Sequence, residues 1–316
     1  MEISVIVPTF NRREMVKRTV ETLFHQSYPP ACYEIVIVVD GSDDGTSEAI
    51  RGLNAPCQLR VIEQENRGLA SARNAGARGA EANLLLFLDD DMLCVPELLE
   101  AHVAAHKDDP RTIGFGCIFL SPDSPRSLAA ECFNRELGAF YLKQKHSTVA
   151  PKPEEIECVF GNSSISRDLL MEVGGFDERF KMREDLELGV RLFRQGARSV
   201  YVERAVAYQY YAKTHADLIR DAEAFAIADV RFGQEHPDAW TTGHLSSLGR
   251  APRWKLTLRR IAAMSPEATD LALSPACGLG ELLLDVPFFC NLGVRALQIR
   301  RRIHWLHKAM ALGRSG

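Results

Sequence analysis

The chain has 316 residues, of which 46% are apolar and 25% charged, and its net charge is −4. This length and composition are typical of a soluble globular protein with one large α/β domain and an appendage, or with two small domains, and they exclude a largely disordered chain. The charge is uneven: residues 250–316 hold eleven Lys and Arg against four acids, so we expect an acidic body and a basic C-terminal region.

Four short apolar segments in the N-terminal part of the chain alternate with helical patterns. Strands are predicted at residues 3–7, 34–39, 58–64 and 84–88. Pro8 is expected to end the first strand, because its missing N–H cannot join a ladder. A helix over residues 68–76 is rich in Gly and Ala, which allows close approach to a sheet or a ligand. The alternation predicts an α/β fold with a mostly parallel, Rossmann-like sheet flanked by helices.

The fourth strand is followed at once by Asp89, Asp90 and Asp91. Ligands of open α/β sheets bind outside the carboxyl ends of the strands, so a site is expected at this turn. Adjacent carboxylates raise one another's pKa, and a bound cation keeps them ionised. Asp89 and Asp91 could hold one oxygen-loving ion such as Mg²⁺ or Mn²⁺. The alternative is a solvated acidic turn.

Several common α/β signatures are absent from the sequence. The first strand is not followed by GxGxxG, which argues against a dinucleotide-binding Rossmann domain. The chain also contains no GxxxxGK[ST] and no GxSxG, so a P-loop enzyme and the common hydrolase elbow are set aside.

The middle of the chain predicts a helix over residues 96–106, a strand over 112–120 and a helical segment from Ser127 to about Lys145. A later helix begins at Glu184 and Asp185. Its N-terminal dipole would favour a carboxylate and keep Asp185 ionised, although acids in a first helical turn are often only caps.

Eight cysteines are scattered without a CxxC pair or zinc spacing, most of them in or beside apolar runs. They are Cys32, Cys57, Cys94, Cys117, Cys132, Cys158, Cys277 and Cys290. We expect buried free thiols in a reducing compartment. No signal peptide precedes Ile3, and charged residues break the C-terminal apolar runs before they reach the length of a membrane span. The sequence therefore predicts a cytoplasmic protein.

Six short motifs occur in order between residues 3 and 196. They are Val5–Arg12 (VIVPTFNR), Val38–Thr46 (VVDGSDDGT), Asn66–Gly68 with Ala72–Asn74, Phe87–Asp91 (FLDDD), Gly174–Asp177 (GGFD) and Glu184-Asp185. Each motif is weak alone, but together they resemble the family 2 glycosyltransferases. The resemblance implies an inverting enzyme with the nucleotide-diphospho-sugar transferase fold, of GT-A type, and a C-terminal helical extension.

The resemblance also implies roles for particular residues. It assigns donor binding to Pro8, Thr9, Asp40, Asn66, Arg73, Asp89 and Asp90, with Asp40 accepting from the base of a uridine-like ring. It assigns the metal to Asp89 and Asp91, the general base to Asp185, and the sugar or acceptor pocket to Gly161, Asn162 and Glu184. The implied cofactor is Mn²⁺ or Mg²⁺, which as a Lewis acid neutralises charge on the leaving nucleotide diphosphate.

One position departs from the family pattern. Many relatives carry a further histidine ligand shortly after the strand that follows the Glu-Asp helix, but residues 205–211 contain no histidine. His215 could substitute as a metal ligand, or it could be a surface or capping residue at the start of the next helix.

The resemblance divides the chain at residue 212. Residues 1–212 are assigned to the catalytic domain, with a nucleotide-binding half at 1–110 and an acceptor half at 111–212, and residues 213–316 to a helical region. Basic and apolar residues mix at 253–261 and 295–308. They fit a surface that rests on an anionic membrane beside a lipid-linked acceptor, or a cap or homodimer contact whose charges face water. The acidic body argues against a nucleic-acid partner.

The predicted function is transfer of a sugar from a nucleotide-diphospho-sugar, with a UDP-sugar favoured, to an acceptor hydroxyl. Localisation on the inner face of the membrane is compatible with this prediction. One alternative is a non-catalytic nucleotide-sugar-binding or scaffolding protein. Another is a sugar nucleotidyltransferase, which would need a glycine-rich basic loop after the first strand, and this chain has none.

Overall fold

The computed structural model describes residues 1–145, 160–240 and 261–313. The chain divides into two compact units, Met1–Pro122 with Phe140–Tyr210 and Asp123–Ala139 with Tyr211–Gly316. Two sequence features lie outside the described residues, namely Cys158 and the basic segment from residue 253 as far as residue 260. Within the described parts of the chain, no helix is both long and apolar enough to cross a membrane.

The first unit contains all the strands of one eight-stranded sheet. The strands are β1 (Ile3–Thr9), β2 (Tyr33–Asp40), β3 (Gln58–Gln64), β4 (Leu84–Leu88), β5 (Met92–Cys94), β6 (Thr112–Leu120), β7 (Asn162–Ser166) and β8 (Arg198–Gln209). The helices, in chain order, are α1 (Arg13–Leu23), α2 (Thr46–Arg51), α3 (Leu69–Gly79), α4 (Leu98–Ala105), α5 (Leu128–Lys145), α6 (Arg167–Glu172) and α7 (Glu184–Arg194). Helix α5 runs from the second unit into the first.

The strand order is β3-β2-β1-β4-β7-β6-β8-β5. The four strands from β3 to β4 are parallel, which confirms the prediction from the strand-helix alternation. Strand β7 is antiparallel to both its neighbours, β6 and β8 are parallel, and β5 pairs antiparallel with β8. Neither β7 nor β5 was predicted. The sequence of β7 is Asn-Ser-Ser-Ile-Ser, and these mostly polar residues do not show the apolar pattern of a buried strand.

The predicted end of the first strand at Pro8 is wrong, because β1 continues to Thr9. Pro8 pairs in register with Val38 of β2, but the pairing of β1 with β4 covers only Ile3–Ile6. One side of the strand therefore has no ladder partner at Pro8, and a residue without an N–H is tolerated there.

Helix α3 packs very closely on the parallel strands, as its small residues predicted. A Cβ at Gly76 would lie 2.3 Å from Cγ2 of Ile6, and one at Gly79 would lie 2.6 Å from Cδ1 of Ile62. Both distances are shorter than side chains allow, so a side chain at Gly76 would clash with the base of the buried Ile6 side chain, whereas at Gly79 the end of the Ile62 side chain would have to move. The close packing carries the start of α3, with Arg73, to the carboxyl ends of the strands.

The pairing of β6 with β8 contains a bulge. Gly116 is opposite Val202, but Cys117 is opposite Val206, so residues 203–205 are extra on β8. Bulges re-aim the strand beyond them. Beyond this one, β8 continues to Gln209, whose side chain reaches the acidic turn after β4.

The regular elements in the described residues of the second unit are all helices. In addition to its part of α5 it contains α8 (His215–Glu235), α9 (Pro237–Trp240), α10 (Pro266–Leu282) and α11 (Pro287–Gly313). Helix α8 begins with a capping box, in which the side chains of Thr214 and Asp217 each bond to the other residue's N–H. Helices α10 and α11 approach so closely that a Cβ on Gly280 would lie 2.7 Å from Cα of Gly293.

The seven described cysteines are all free, as predicted. Four are buried and three are partly buried.

Candidate active site

The three aspartates after β4 are held by different partners. Asp90 is almost completely buried, and its two oxygens accept from Thr9 Oγ1 at 2.7 Å and from an Arg12 guanidinium nitrogen at 2.6 Å. Its backbone carbonyl accepts from Thr19 Oγ1 of α1 at 2.7 Å. Thr9 and Asp90, both predicted to bind the donor, are therefore bonded to each other.

Asp91 joins the acidic turn to the end of β8. Its carboxylate accepts from Arg12 and from Gln209 Nε2, each at 3.1 Å. Its carbonyl accepts from the Tyr210 N–H at 2.8 Å. One arginine thus bridges Asp90 and Asp91, while β8 fixes the opposite side of Asp91.

Burial and mutual repulsion act on the pKa values of this turn. Burial raises the pKa of Asp90 to about 7, against the opposing charge of Arg12. Burial, with the nearby charge of Asp89, also raises the pKa of Asp91. A cation bound here would lower both values, because it stabilises the ionised forms.

Arg73 connects the acidic turn with the start of α7. Its guanidinium donates to Asp89 Oδ1 at 3.0 Å and to Glu184 Oε1 at 2.9 Å, and also to the Phe160 carbonyl at 3.3 Å. It lies over the Phe176 ring, with its central carbon 5.4 Å from the centroid. Arg73 is only 3% exposed, and its Nε has no hydrogen-bond partner among the residues that the structure describes. The structure therefore commits most of this side chain to protein contacts.

Asp185 lies in the first turn of α7, next to Glu184. The helix is preceded by Arg183 in the left-handed backbone conformation, with φ of 66°, and one Asp185 oxygen accepts from the Leu186 N–H at 2.7 Å. Burial and the adjacent Glu184 raise the pKa of Asp185 to about 7. A carboxylate with a pKa near neutrality can accept a proton at neutral pH.

Asp40 anchors the loop that precedes α3. Its carboxylate accepts from Gln64 Nε2 at 2.7 Å and from the N–H groups of Arg67 and Gly68 at 2.9 and 2.8 Å. A carboxylate has about four acceptor positions, so about one remains for a ligand. Asn66 is exposed beside this anchor, and its backbone N would lie 2.6 Å from a Cβ at Gly41, which has φ of 78°.

The side chain of Asn162 lies inside the sheet. Its Nδ2 donates to the carbonyls of Cys117 and Ala205, at the β6–β8 bulge, and its Oδ1 is 2.9 Å from His102 Nε2. Because the amide nitrogen faces the carbonyls, Oδ1 must accept from a protonated His102 Nε2. The ring's Nδ1 is 2.8 Å from Ser164 Oγ, which must then be the donor. Any pocket role of Asn162 would fall to its backbone.

Gly161 touches the acidic turn directly. Its carbonyl accepts from the Asp89 N–H at 3.1 Å, and a Cβ at this position would lie 2.5 Å from Asp89 Oδ2. The absence of a side chain at residue 161 therefore leaves the Asp89 carboxylate in its observed place.

His215 belongs to the second unit, where it is the first residue of α8. Its Nε2 lies 3.2 Å from Glu281 Oε2 of α10. Its assignment as a metal ligand stays a prediction.

The chemistry of the acidic turn fits a divalent cation. Within the described residues, no group of three or more His, Cys, Asp or Glu is placed to hold a metal. Mg²⁺, however, usually takes one or two carboxylates and completes its shell with water and substrate phosphates. Asp89 and Asp91 would supply such a pair, and Asp89 keeps part of its side chain in solvent.

Three side chains around the site were not identified from the sequence. They are Arg12, Gln209 and His102. Arg12 lies within the first of the six motifs. Three adjacent aspartates need a positive charge nearby, and this need was a signal that pointed to an arginine. Gln209 and His102 gave no signal, since their contacts depend on the bulge in β8 and on a strand that was not predicted.

The mixed, curled sheet with flanking helices is the GT-A fold of nucleotide-sugar transferases. The chain belongs to glycosyl transferase family 2, whose sequence profile matches residues 4–174.

Two curated relatives illustrate the range of the family. Validoxylamine A glucosyltransferase of Streptomyces hygroscopicus subsp. limoneus is 33% identical over 218 residues, covering 61% of this chain and 48% of that protein. Glucosyl-dolichyl phosphate glucuronosyltransferase of Haloferax volcanii is 27% identical over 219 residues, covering 65% of this chain and 68% of that protein. The chain thus spans about half the length of the first relative.

A solved structure extends the similarity of fold beyond the profile match. The mannosyltransferase PcManGT of Pyrobaculum calidifontis, in complex with GDP-Man and Mn²⁺, superposes with a TM-score of 0.64 at 22% identity. The alignment covers 95% of this chain and 85% of that one.

Proposed function

We propose that this protein is an inverting glycosyltransferase that moves a sugar from a nucleotide-diphospho-sugar to an acceptor hydroxyl, assisted by Mn²⁺ or Mg²⁺. The observation that carries the proposal is the position of Arg73, which bonds to Asp89 of the acidic turn and to Glu184 beside Asp185. One buried side chain thereby ties the carboxylates proposed for the metal to the helix that bears the proposed base.

The proposed reaction is a single displacement. The acceptor oxygen attacks the anomeric carbon, the bond from that carbon to the diphosphate oxygen breaks, and the anomer inverts. Asp185 takes the proton of the acceptor hydroxyl, a role suited to its raised pKa of about 7. When bound, the divalent metal would neutralise charge on the departing diphosphate.

The donor would bind near the carboxyl ends of β1, β2 and β4. Asp40 is held rigidly enough to present an acceptor to a base N–H, and the exposed Asn66 lies beside it. Pro8, Thr9 and Asp90 would shape the floor of this site, since Thr9 and Asp90 already satisfy each other. Arg73 and Glu184 would act chiefly by holding the neighbouring carboxylates. We propose a UDP-sugar as the favoured donor.

Two alternative functions are less well supported than glycosyl transfer. A non-catalytic nucleotide-sugar-binding protein needs no proton acceptor, so the raised pKa of Asp185 favours the enzyme. A sugar nucleotidyltransferase would need a glycine-rich, basic loop directly after β1, whereas β1 of this chain is followed by Phe10 and Asn11.

The acceptor is proposed to be a hydroxyl of a lipid-linked glycan, a class related to the dolichyl phosphate substrate in the name of the Haloferax relative. Large apolar side chains of the second unit are exposed, including Leu271, Leu282 and Phe288. They support contact with an anionic membrane surface or with a second copy of the chain. Co-sedimentation with anionic vesicles would support the membrane surface, and a dimeric mass in solution would support a second copy of the chain.

A thermal-shift panel tests the donor assignment. We expect UDP or a UDP-sugar with Mn²⁺ to raise the melting temperature, because a ligand at about 100 times its Kd stabilises the folded state by about 2.7 kcal/mol. Guanosine diphosphate and its sugars belong in the panel, since the mannosyltransferase of similar fold was solved with GDP-Man. Asp91→Asn is expected to lose the metal-dependent part of the shift. If no nucleotide shifts the transition in the presence of metal, the proposal fails.

A further inference from the structure

Two arginines contact the acidic turn, and they are held in very different ways. Arg73 is buried, with donor bonds to two carboxylates and one carbonyl, and it packs on an aromatic ring. The Arg12 side chain is 42% exposed, and among the residues that the structure describes it bonds to Asp90 and Asp91 alone. Removing Arg73 from its place would break a buried network, whereas the half-exposed Arg12 guanidinium can turn into water once another cation neutralises Asp90 and Asp91.

The backbone of Arg12 is fixed even though its side chain is not. Arg12 is the residue before the first turn of α1, and its carbonyl accepts from the N–H groups of Met15 and Val16. Just before it, Asn11 has φ of 50° and is tied to the β2–α2 loop by bonds to Ser42 and Asp43. A movement of Arg12 therefore needs only a change of side-chain rotamer.

We propose that Arg12 is the resident counter-ion of the acidic turn and that the divalent cation of the proposed glycosyl-transfer site displaces it from Asp91. The inference rests on the proposed function, because it concerns the same metal. Arg12 and the cation compete for the negative charge of Asp91, whose two oxygens accept from Arg12 and from Gln209, because two positive groups beside the same carboxylate repel each other.

This competition has a consequence for the order of binding. In the metal-free protein, Arg12 offsets the repulsion among three adjacent carboxylates, of which Asp90 and Asp91 are almost completely buried. The same contact weakens metal binding, because the metal must first remove a cation. A nucleotide diphosphate brings negative charge that favours both the metal and a released guanidinium, so we expect metal and nucleotide to strengthen each other's binding.

The test measures Mn²⁺ affinity directly, by the electron paramagnetic resonance signal of free Mn²⁺, without donor turnover. Arg12→Gln without nucleotide is expected to bind Mn²⁺ about two- to fivefold more tightly than the unaltered protein, the order expected for loss of a half-exposed ion pair. Arg12→Lys should lie between them, because one ammonium cannot bridge two carboxylates as the planar fork does. Arg13→Gln is the matched control, since it removes the same charge one residue away, where Arg13 pairs with Glu14.

A second readout is the melting temperature without metal. Arg12→Gln should melt below the Arg13→Gln protein, and saturating Mn²⁺ should remove most of the difference. Mn²⁺ binding that is equal or weaker in Arg12→Gln overturns the competition while leaving the proposed function standing. Failure of every variant to bind Mn²⁺, with or without a nucleoside diphosphate, overturns both.

Discussion

The acidic turn after β4 and the first turn of α7 both place carboxylates side by side, but charge is distributed differently around them. At the turn, Arg12 contacts Asp90 and Asp91 and opposes the rise in the pKa of Asp90. In α7, Arg73 contacts Glu184, while Asp185 accepts a bond from a backbone N–H. Glu184 then adds to the effect of burial in raising the pKa of Asp185.

The difference indicates two kinds of chemistry. Carboxylates that pair with a half-exposed arginine are suited to exchanging it for a metal ion. A carboxylate that faces a like charge is suited to taking up a proton. Arg73 bonds to one acid in each region, so the two arrangements depend on the same buried side chain. Substitutions in each region are therefore expected to have different effects.

The largest expected effect is on turnover. Asp185→Asn removes the proposed proton acceptor, and a positioned base typically contributes about 10²- to 10⁴-fold to the rate. We expect release of nucleoside diphosphate from the donor to fall by that factor, with nucleotide affinity unchanged. The matched control is Asp168→Asn, at the start of α6, where the carboxylate accepts from Asn83 and from no other residue in the described part of the chain. If Asp185→Asn retains the full kcat, Asp185 is not the general base.

The next effect is on stability and depends on the side chain shared by the two regions. Arg73→Met leaves Asp89 and Glu184 without their common partner, and breaking a buried ion pair in this way typically costs about 3–5 kcal/mol. Arg67→Met removes an arginine that is exposed and pairs with Glu178, so it should cost less than about 1 kcal/mol. Urea denaturation of both variants measures the difference. Equal losses would mean that Arg73 is not the connecting residue.

Much of the fold could be predicted from the sequence because the apolar strands of the parallel half leave a clear pattern. β3 was predicted at its observed bounds, Gln58–Gln64, and so was β4, Leu84–Leu88. The antiparallel half was harder, since β7 buries Asn162, Ser163 and Ser164, which are polar. Their burial depends on hydrogen bonds to His102 and to strand carbonyls, which are contacts between residues distant in the chain.

The same limit applies to the site. The strand ends and the start of α7 were visible in the sequence, so the carboxylates could be named. What could not be seen is which arginine faces which acid. Arg73 was expected to contact the donor, yet the structure commits it to Asp89 and Glu184. Such pairings are set by the approach of α3 and α7 in three dimensions, and no local pattern encodes them.

A smaller effect tests the packing around Asp89. In Gly161→Ala, the new Cβ would lie 2.5 Å from Asp89 Oδ2, so the carboxylate must shift. Overpacking of this kind costs about 1–3 kcal/mol, and we expect weaker Mn²⁺ binding together with the loss of stability. Gly189→Ala in α7 is the control, because its Cβ would meet no atom of another element within 4 Å among the described residues. That variant should gain about 1 kcal/mol, since alanine is the better helix former. Unchanged metal affinity in Gly161→Ala would contradict the role of this contact.

The smallest effect is a shift in pH dependence, and it tests the α7 side of the comparison alone. Asp185 must be deprotonated to accept a proton, so kcat/KM is expected to rise with pH and level off above the pKa of about 7. Glu184→Gln removes the like charge that raises this pKa and frees Arg73, which opposes the rise, so both changes lower it. We expect the acid limb of the profile to move to lower pH.

The pH dependence of stability tests the direction of the Asp185 pKa shift without a measurement of turnover. Because the pKa of Asp185 in the folded protein lies above its ordinary value of 3.8, the stabilising contribution of this group is present below that value and is lost as the pH rises through about 7. Melting curves from pH 4 to pH 8 should therefore fall less steeply for Glu184→Gln than for the unaltered protein. Glu172→Gln, at the exposed end of α6 where the acid pairs with Arg111, should leave both the profile and the slope unchanged. An acid limb that stays in place in Glu184→Gln would show that another group controls it, and Asp90, with its own pKa of about 7, would be the next to test.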